Sequence, residues 1–153
     1  MRRLELKVPP LALFVACALL VLALAALQVA PFAAVPGLWI VGLLTLAGGV
    51  LVAVLGVVEF RRAGTTVNPM SPERSSNVVT SGVYRWSRNP MYLGMAAALA
   101  GLSLSVGTAA GLLVTAGFCA YLSRFQIAPE ERRLLEAFGE PYARYLREVR
   151  RWI

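Results

Sequence analysis

Residues 8–58 read VPPLALFVACALLVLALAALQVAPFAAVPGLWIVGLLTLAGGVLVAVLGVV, a run without one charged side chain. A helix crossing the roughly 30 Å hydrocarbon core of a bilayer needs about 20 residues, so the run is too long for one crossing and suits two. Pro31, Pro36 and Gly37 interrupt it, which predicts a first span over 8–30 and a second over 38–58. A second uncharged run extends from Asn89 to Ser123. With its turn at Ser105, Gly107 and Thr108 it predicts a helical hairpin, a third span over 91–106 and a fourth over 108–127. The 15 basic and 8 acidic residues all fall outside these two runs. A soluble domain would spread its charges over every element, and a disordered chain would not be 58% hydrophobic with mean hydropathy +0.67. The expected fold is therefore all-α. It is a single integral membrane domain over 1–153 with about four transmembrane helices, a loop over 59–90 and a tail over 128–153.

The basic residues also set a direction. Arg2, Arg3 and Lys7 precede the first span, Arg61, Arg62, Arg74, Arg85 and Arg88 lie between the second and third, and Arg124 with six further arginines follows the fourth. The loops near Pro31–Gly37 and Ser105–Thr108 carry none, so the positive-inside rule places both termini and the long loop in the cytoplasm. Such a bias argues against a dual-topology multidrug transporter, which would also be expected to carry an ionisable residue within a span. The first apolar run is longer than a signal-peptide core, and the segment is expected to remain in the protein.

Chemistry is constrained by omission. The chain has no His and no Asp, which excludes His-based triads and His metal ligands and leaves eight Glu as the side-chain carboxylates. Cys17 and Cys119 sit in apolar runs as small hydrophobes and suggest neither a disulfide nor a metal site. Small residues recur at four-residue spacing as Gly49/Ala53, Gly94/Ala98, Ala97/Gly101 and Gly107/Gly111, a pattern for close helix packing within the chain.

Two polar stretches remain. The loop ends in Val78-Val79-Thr80-Ser81-Gly82-Val83-Tyr84-Arg85-Trp86-Ser87-Arg88-Asn89-Pro90-Met91-Tyr92-Leu93-Gly94. Asn89 is placed to cap the third helix with Pro90 at its first position, leaving free N–H groups and the positive helix end beside Arg85 and Arg88. That suits a carboxylate or phosphate, although Tyr, Trp and Arg also gather at membrane boundaries as anchors. The tail opens with Pro129-Glu130-Glu131 and predicts two short amphipathic helices broken at Gly139 and Pro141, with Leu134, Leu135 and Phe138 on one apolar face and Tyr142, Tyr145 and Val149 on the other. Glu130 and Glu131 suit a cation at the membrane surface, or the first turn of a helix.

Both stretches resemble the isoprenylcysteine carboxyl methyltransferase and phospholipid methyltransferase superfamily of integral membrane methyltransferases. The likeness rests on Val78 to Gly94 as Val-Val-Thr-x-Gly-x-Tyr followed by Arg-Asn-Pro-x-Tyr-x-Gly, and on Glu130 to Tyr145 as Glu-Glu leading to Phe-Gly-x-x-Tyr-x-x-Tyr. The resemblance implies a cytoplasm-facing pocket for S-adenosylmethionine, with S-adenosylhomocysteine as product and no metal. Val79, Gly82, Tyr84, Arg88, Asn89, Pro90, Tyr92 and Gly94 are the expected cofactor residues on one wall, and Glu130, Glu131, Tyr142 and Tyr145 those of the tail. Glu130, Glu131 and Arg124 are the candidate catalytic residues. Membrane lipids and a lipophilic acceptor are the implied partners, with no nucleic acid. Asn89 stands where many relatives have His and cannot titrate, so positioning survives there while general-base chemistry does not. Alignment can supply much of the rate of a methyl transfer, which mildly favours a carboxylate or thiol acceptor over an amine. The reading from another class is a non-catalytic four-helix membrane protein whose arginines bind anionic lipid.

Overall fold

The computed structural model describes residues 5–32, 35–63 and 78–153, and these are all-helical apart from turns and one isolated bridge between Pro31 and Thr108. The elements are α1 (Pro10–Ala26), α2 (Leu38–Arg62), a 3-10 turn (Gly82–Arg85), α3 (Pro90–Ser105), α4 (Ala109–Tyr121), a π turn (Leu122–Ile127), α5 (Ala128–Phe138) and α6 (Glu140–Glu148). Pro10 and Pro90 open their helices at a position where the missing N–H costs nothing. Gly37 before α2 and Gly107 between α3 and α4 stand at φ +80° and +76°, a left-handed backbone that side chains resist.

Among the described residues two helices are long and apolar enough to cross a membrane, α2 and the continuous Ala109–Phe138, while α1 and α3 are shorter apolar helices. Leu11, Leu19, Leu44, Leu51 and Leu113 lie on the outside, each about half exposed or more. In water that surface would be a liability; against hydrocarbon it is the expected outer face.

Lipid removes the hydrophobic drive between helices, so contact must come from close packing. α2 and α3 achieve it with glycine. Gly42, Gly49 and Gly56 recur every seven residues and form the buried stripe of α2. Gly49 lies on Gly94 and Ala98, Gly94 on Gly49 and Ala53, and Gly101 on Gly42 and Leu46, so three of the small-residue pairs meet inside the chain. Gly111 meets Ser103 and Val21, whereas nothing approaches Gly107, which serves the turn. α3 is thereby central, with α2 on one side and α1 and α4 on the other. Tyr92, Ala96, Leu99, Phe118, Leu122 and Ile127 form the apolar core, and Leu13, Phe14, Cys17 and Ala18 of α1 pack against it.

The helix ends are tied at both faces. At one, Ala109 N–H donates to Ala30 (2.9 Å), Phe32 N–H to Gly107 (2.9 Å) and the Thr108 hydroxyl to Val29 (2.8 Å). At the other, the sequence reading ends the fourth span at 127 and opens a separate tail helix, and the helix instead runs through. Pro129 has no N–H for the Phe125 carbonyl, and the π turn absorbs the mismatch while Leu6 N–H, from the turn ahead of α1, donates to that carbonyl at 3.0 Å. Glu5 reinforces the clasp by pairing with Arg132 (2.6 Å) and Arg124 (3.6 Å).

Candidate active site

Because the helix is continuous, Glu130 and Glu131 are not first-turn acids at a free helix start, and the dipole account of them loses its basis. They point to different partners. Glu130 lies beyond the uncharged run, four residues after Gln126 of the π turn. Gln126 Nε2 and the Tyr92 hydroxyl both donate to its Oε1, at 2.6 and 2.7 Å. Burial pushes the Glu130 carboxyl up to about 7; those two hydrogen bonds oppose the rise and the neighbouring Glu131 charge adds to it. A carboxyl so held exchanges its proton near neutral pH.

Glu131 is engaged by two guanidinium groups. Arg88 Nη2 lies 3.0 Å from its Oε1, and Arg151 spans the carboxylate with Nε at 3.2 Å from Oε1 and Nη2 at 2.5 Å from Oε2. Arg88 also donates from Nη1 to the Leu146 carbonyl at 2.8 Å, which ties α6 to the motif loop. Residues 150–152 run back across the start of α3. Arg88 N–H donates to the Arg150 carbonyl (3.0 Å), Asn89 Nδ2 to the Arg151 carbonyl (2.9 Å), and the Trp152 indole to the Ser123 hydroxyl (3.2 Å).

The predicted cap at Asn89 is thus corrected. Asn89 occupies the N-cap position, but its side-chain oxygen makes no capping bond, and its amide Nδ2 instead donates to the Arg151 carbonyl. Its own N–H donates to the Ser87 hydroxyl at 3.1 Å.

The motif loop is anchored from both sides. Glu59, at the end of α2, accepts from the Ser81 hydroxyl (2.7 Å) and lies against Gly82, whose φ of +55° and tight space leave no room for a side chain. Tyr84 packs edge-on to Phe60, and its carbonyl accepts from the Tyr145 hydroxyl at 2.8 Å. Burial raises the phenols of Tyr84, Tyr142 and Tyr145, keeping them neutral donors. Two polar atoms are left over: the Tyr84 hydroxyl and Arg88 Nε are buried without a hydrogen-bond partner among the described residues.

Most of the expected site residues therefore converge: Tyr84, Arg88, Asn89, Tyr92, Glu130, Glu131, Tyr142 and Tyr145 belong to linked contacts, and Val79 is buried. Others are placed elsewhere. Gly94 and Pro90 lie in the α2–α3 packing, Arg124 pairs with Glu5, and Arg85 lines a shallow crevice of about 430 Å³ with Thr80, Arg144, Tyr145 and Glu148. Sequence reasoning missed Gln126, Glu59 and Arg151. Gln126 carried a signal, since a residue four before a carboxylate on one helix shares its face; Arg151 carried none.

The structure is thus an apolar helical bundle of the membrane type with a polar cluster of carboxylates, tyrosines and two arginines at one end. Residues 38–141 match the phospholipid methyltransferase family, and the chain belongs to that family of membrane methyltransferases. The matched span covers α2 to the start of α6, so it contains the first motif whole and the second as far as Pro141, with Tyr142 and Tyr145 beyond it. An uncharacterized protein of Haemophilus influenzae is 38% identical over 63 residues, which is 41% of this chain and all of that protein. No solved structure matches.

Proposed function

We propose that the chain transfers the methyl group of S-adenosylmethionine to a lipophilic acceptor at the cytoplasmic surface of its membrane, within the cluster around Glu130. The observation that carries this reading is the buried pair of unpartnered donors, the Tyr84 hydroxyl and Arg88 Nε, next to two carboxylates. Buried donors without acceptors are costly, by about 1 to 3 kcal/mol each, and a ligand offering acceptors together with positive charge would relieve them. S-adenosylmethionine has carboxylate and hydroxyl acceptors, an ammonium and a sulfonium, so the donor set and the carboxylates fit it.

The bound cofactor supplies a methyl group on positively charged sulfur. Tyr84 and Arg88 donate to its acceptors, Glu130 and Glu131 offset its positive charge, and Tyr142 and Tyr145 hold the wall in place. Alignment by these groups provides the rate without a histidine. A carboxylate or thiolate acceptor needs no further help, and Glu130 can take the proton of an amine acceptor because its carboxyl titrates near neutrality.

Calorimetry in detergent is expected to give one cofactor molecule per chain, and lipid extracted after incubation with methyl-labelled cofactor should carry the label. Absence of binding would hand the function to the anionic-lipid alternative. The orientation rests on the arginine distribution. Ser75, which lies outside the described residues, should be labelled as Ser75→Cys from the cytoplasmic side only, on a Cys-substituted background; labelling from the opposite side would invert the proposal.

A further inference from the structure

We infer that residues 150–152 form an intramolecular strap over the cofactor seat, and that Arg151 occupies Glu131 until the cationic cofactor takes its place. The inference rests on the proposed methyltransferase reading and deepens it. Three of the residues assigned to the cofactor are engaged by this short segment: Arg88 through its N–H, Asn89 through its amide and Glu131 through its carboxylate. Those bonds engage the same residues that the cofactor is proposed to use, so the two compete for them.

The charges make Arg151 the replaceable member. Glu131 carries one negative charge for two guanidinium groups in a poorly solvated place. The Arg88 side chain is 12% exposed and also held by the Leu146 carbonyl, whereas that of Arg151 is 39% exposed and has no acceptor other than Glu131 among the described residues. When Arg151 leaves, the Arg88–Glu131 pair stays intact and the departing guanidinium reaches water, so neither carboxylate nor arginine is stranded. S-adenosylmethionine carries a net charge of about +1 near neutral pH, from one carboxylate, one ammonium and one sulfonium, so the exchange leaves the site's charge unchanged. The latch at the far end is weak as well: the Trp152 indole donates to Ser123 at 3.2 Å and packs on the core edge while remaining partly exposed.

A strap that must open weakens apparent affinity by the fraction of chains already open. Removing the Arg151 charge should therefore strengthen binding. Calorimetry with S-adenosylmethionine on the full chain in detergent is expected to show Arg151→Gln binding at least about fivefold tighter than the parent, with Arg151→Lys close to the parent. On a Trp39→Phe, Trp86→Phe background, adding the cofactor should make Trp152 fluorescence more open to acrylamide quenching. Weaker or equal binding by Arg151→Gln, or Trp152 becoming better shielded, would make the segment a fixed wall of the site and overturn the strap. If neither parent nor variant binds, the methyltransferase reading itself fails and the strap with it; binding by both at equal affinity removes the strap alone.

Discussion

Gly49→Leu is expected to prevent α2 and α3 from docking, with a loss of about 3 kcal/mol or more and little chain recovered in folded form. A Cβ at this position would stand 2.5 Å from Ala98 N and 2.6 Å from the Gly94 carbonyl oxygen. Both are backbone atoms of a helix, so neither can swing aside as a side-chain tip would. The helices must separate, and separation forfeits the contacts that hold them together in lipid. Gly48 is the control: it adjoins Gly49 in sequence, and nothing lies within 4 Å of the Cβ it would carry. Gly48→Leu should leave thermal unfolding in detergent close to that of the parent. Equal behaviour of the two variants would remove the glycine stripe as the basis of the bundle.

The second large effect is expected at Glu130, with opposite signs for stability and binding. Its carboxyl is raised from 4.5 to about 7 by burial, so the folded chain binds more protons than the unfolded one between those values. Stability therefore falls as pH rises from 4.5 to 7 and levels off above, where the buried charge costs about 3 kcal/mol. Glu130→Gln keeps an oxygen for the Tyr92 and Gln126 donors and cannot ionise. It should abolish that slope and be the more stable protein at pH 8, yet bind S-adenosylmethionine more weakly by ~1.5 to 3 kcal/mol. Glu131→Gln should differ, since it leaves Arg88 and Arg151 without their shared carboxylate and lowers stability by about 3 kcal/mol. Denaturation curves at pH 5 and pH 8 separate the two positions, and a Glu130→Gln chain with an unaltered pH profile would contradict the raised carboxyl.

The helices were legible because charge is excluded from hydrocarbon: Pro31, Gly37 and Gly107 could be placed as breaks by what surrounded them. Much of the candidate site was legible for another reason, as two polar motifs in a chain with few polar residues have few places to meet. What escaped were matters of backbone hydrogen bonding. The fourth span reads as ending at 127, and the helix instead passes Pro129 through the π turn with the freed Phe125 carbonyl taken by Leu6, from the turn ahead of α1. Asn89 reads as a cap, and its side chain instead donates from Nδ2 to a carbonyl of the returning residues 150–152. Both depend on pairings between distant segments that no local pattern records. Gly94 shows the converse: it belongs to the family-like motif, while its surroundings are those of a packing glycine.

The clasp between Leu6 and Phe125 bears on how this protein can be handled. The π turn that it steadies carries Gln126, and Gln126 in turn holds Glu130, so two hydrogen bonds and the π turn between them connect the turn ahead of α1 to the Glu130 carboxyl. A purification tag joined close to Glu5 would tug on the Arg132 and Arg124 pairs and load that linkage. The same connection joins segments far apart in sequence, so the carboxyl geometry is completed only when α1 and the helix that carries Phe125 have packed side by side.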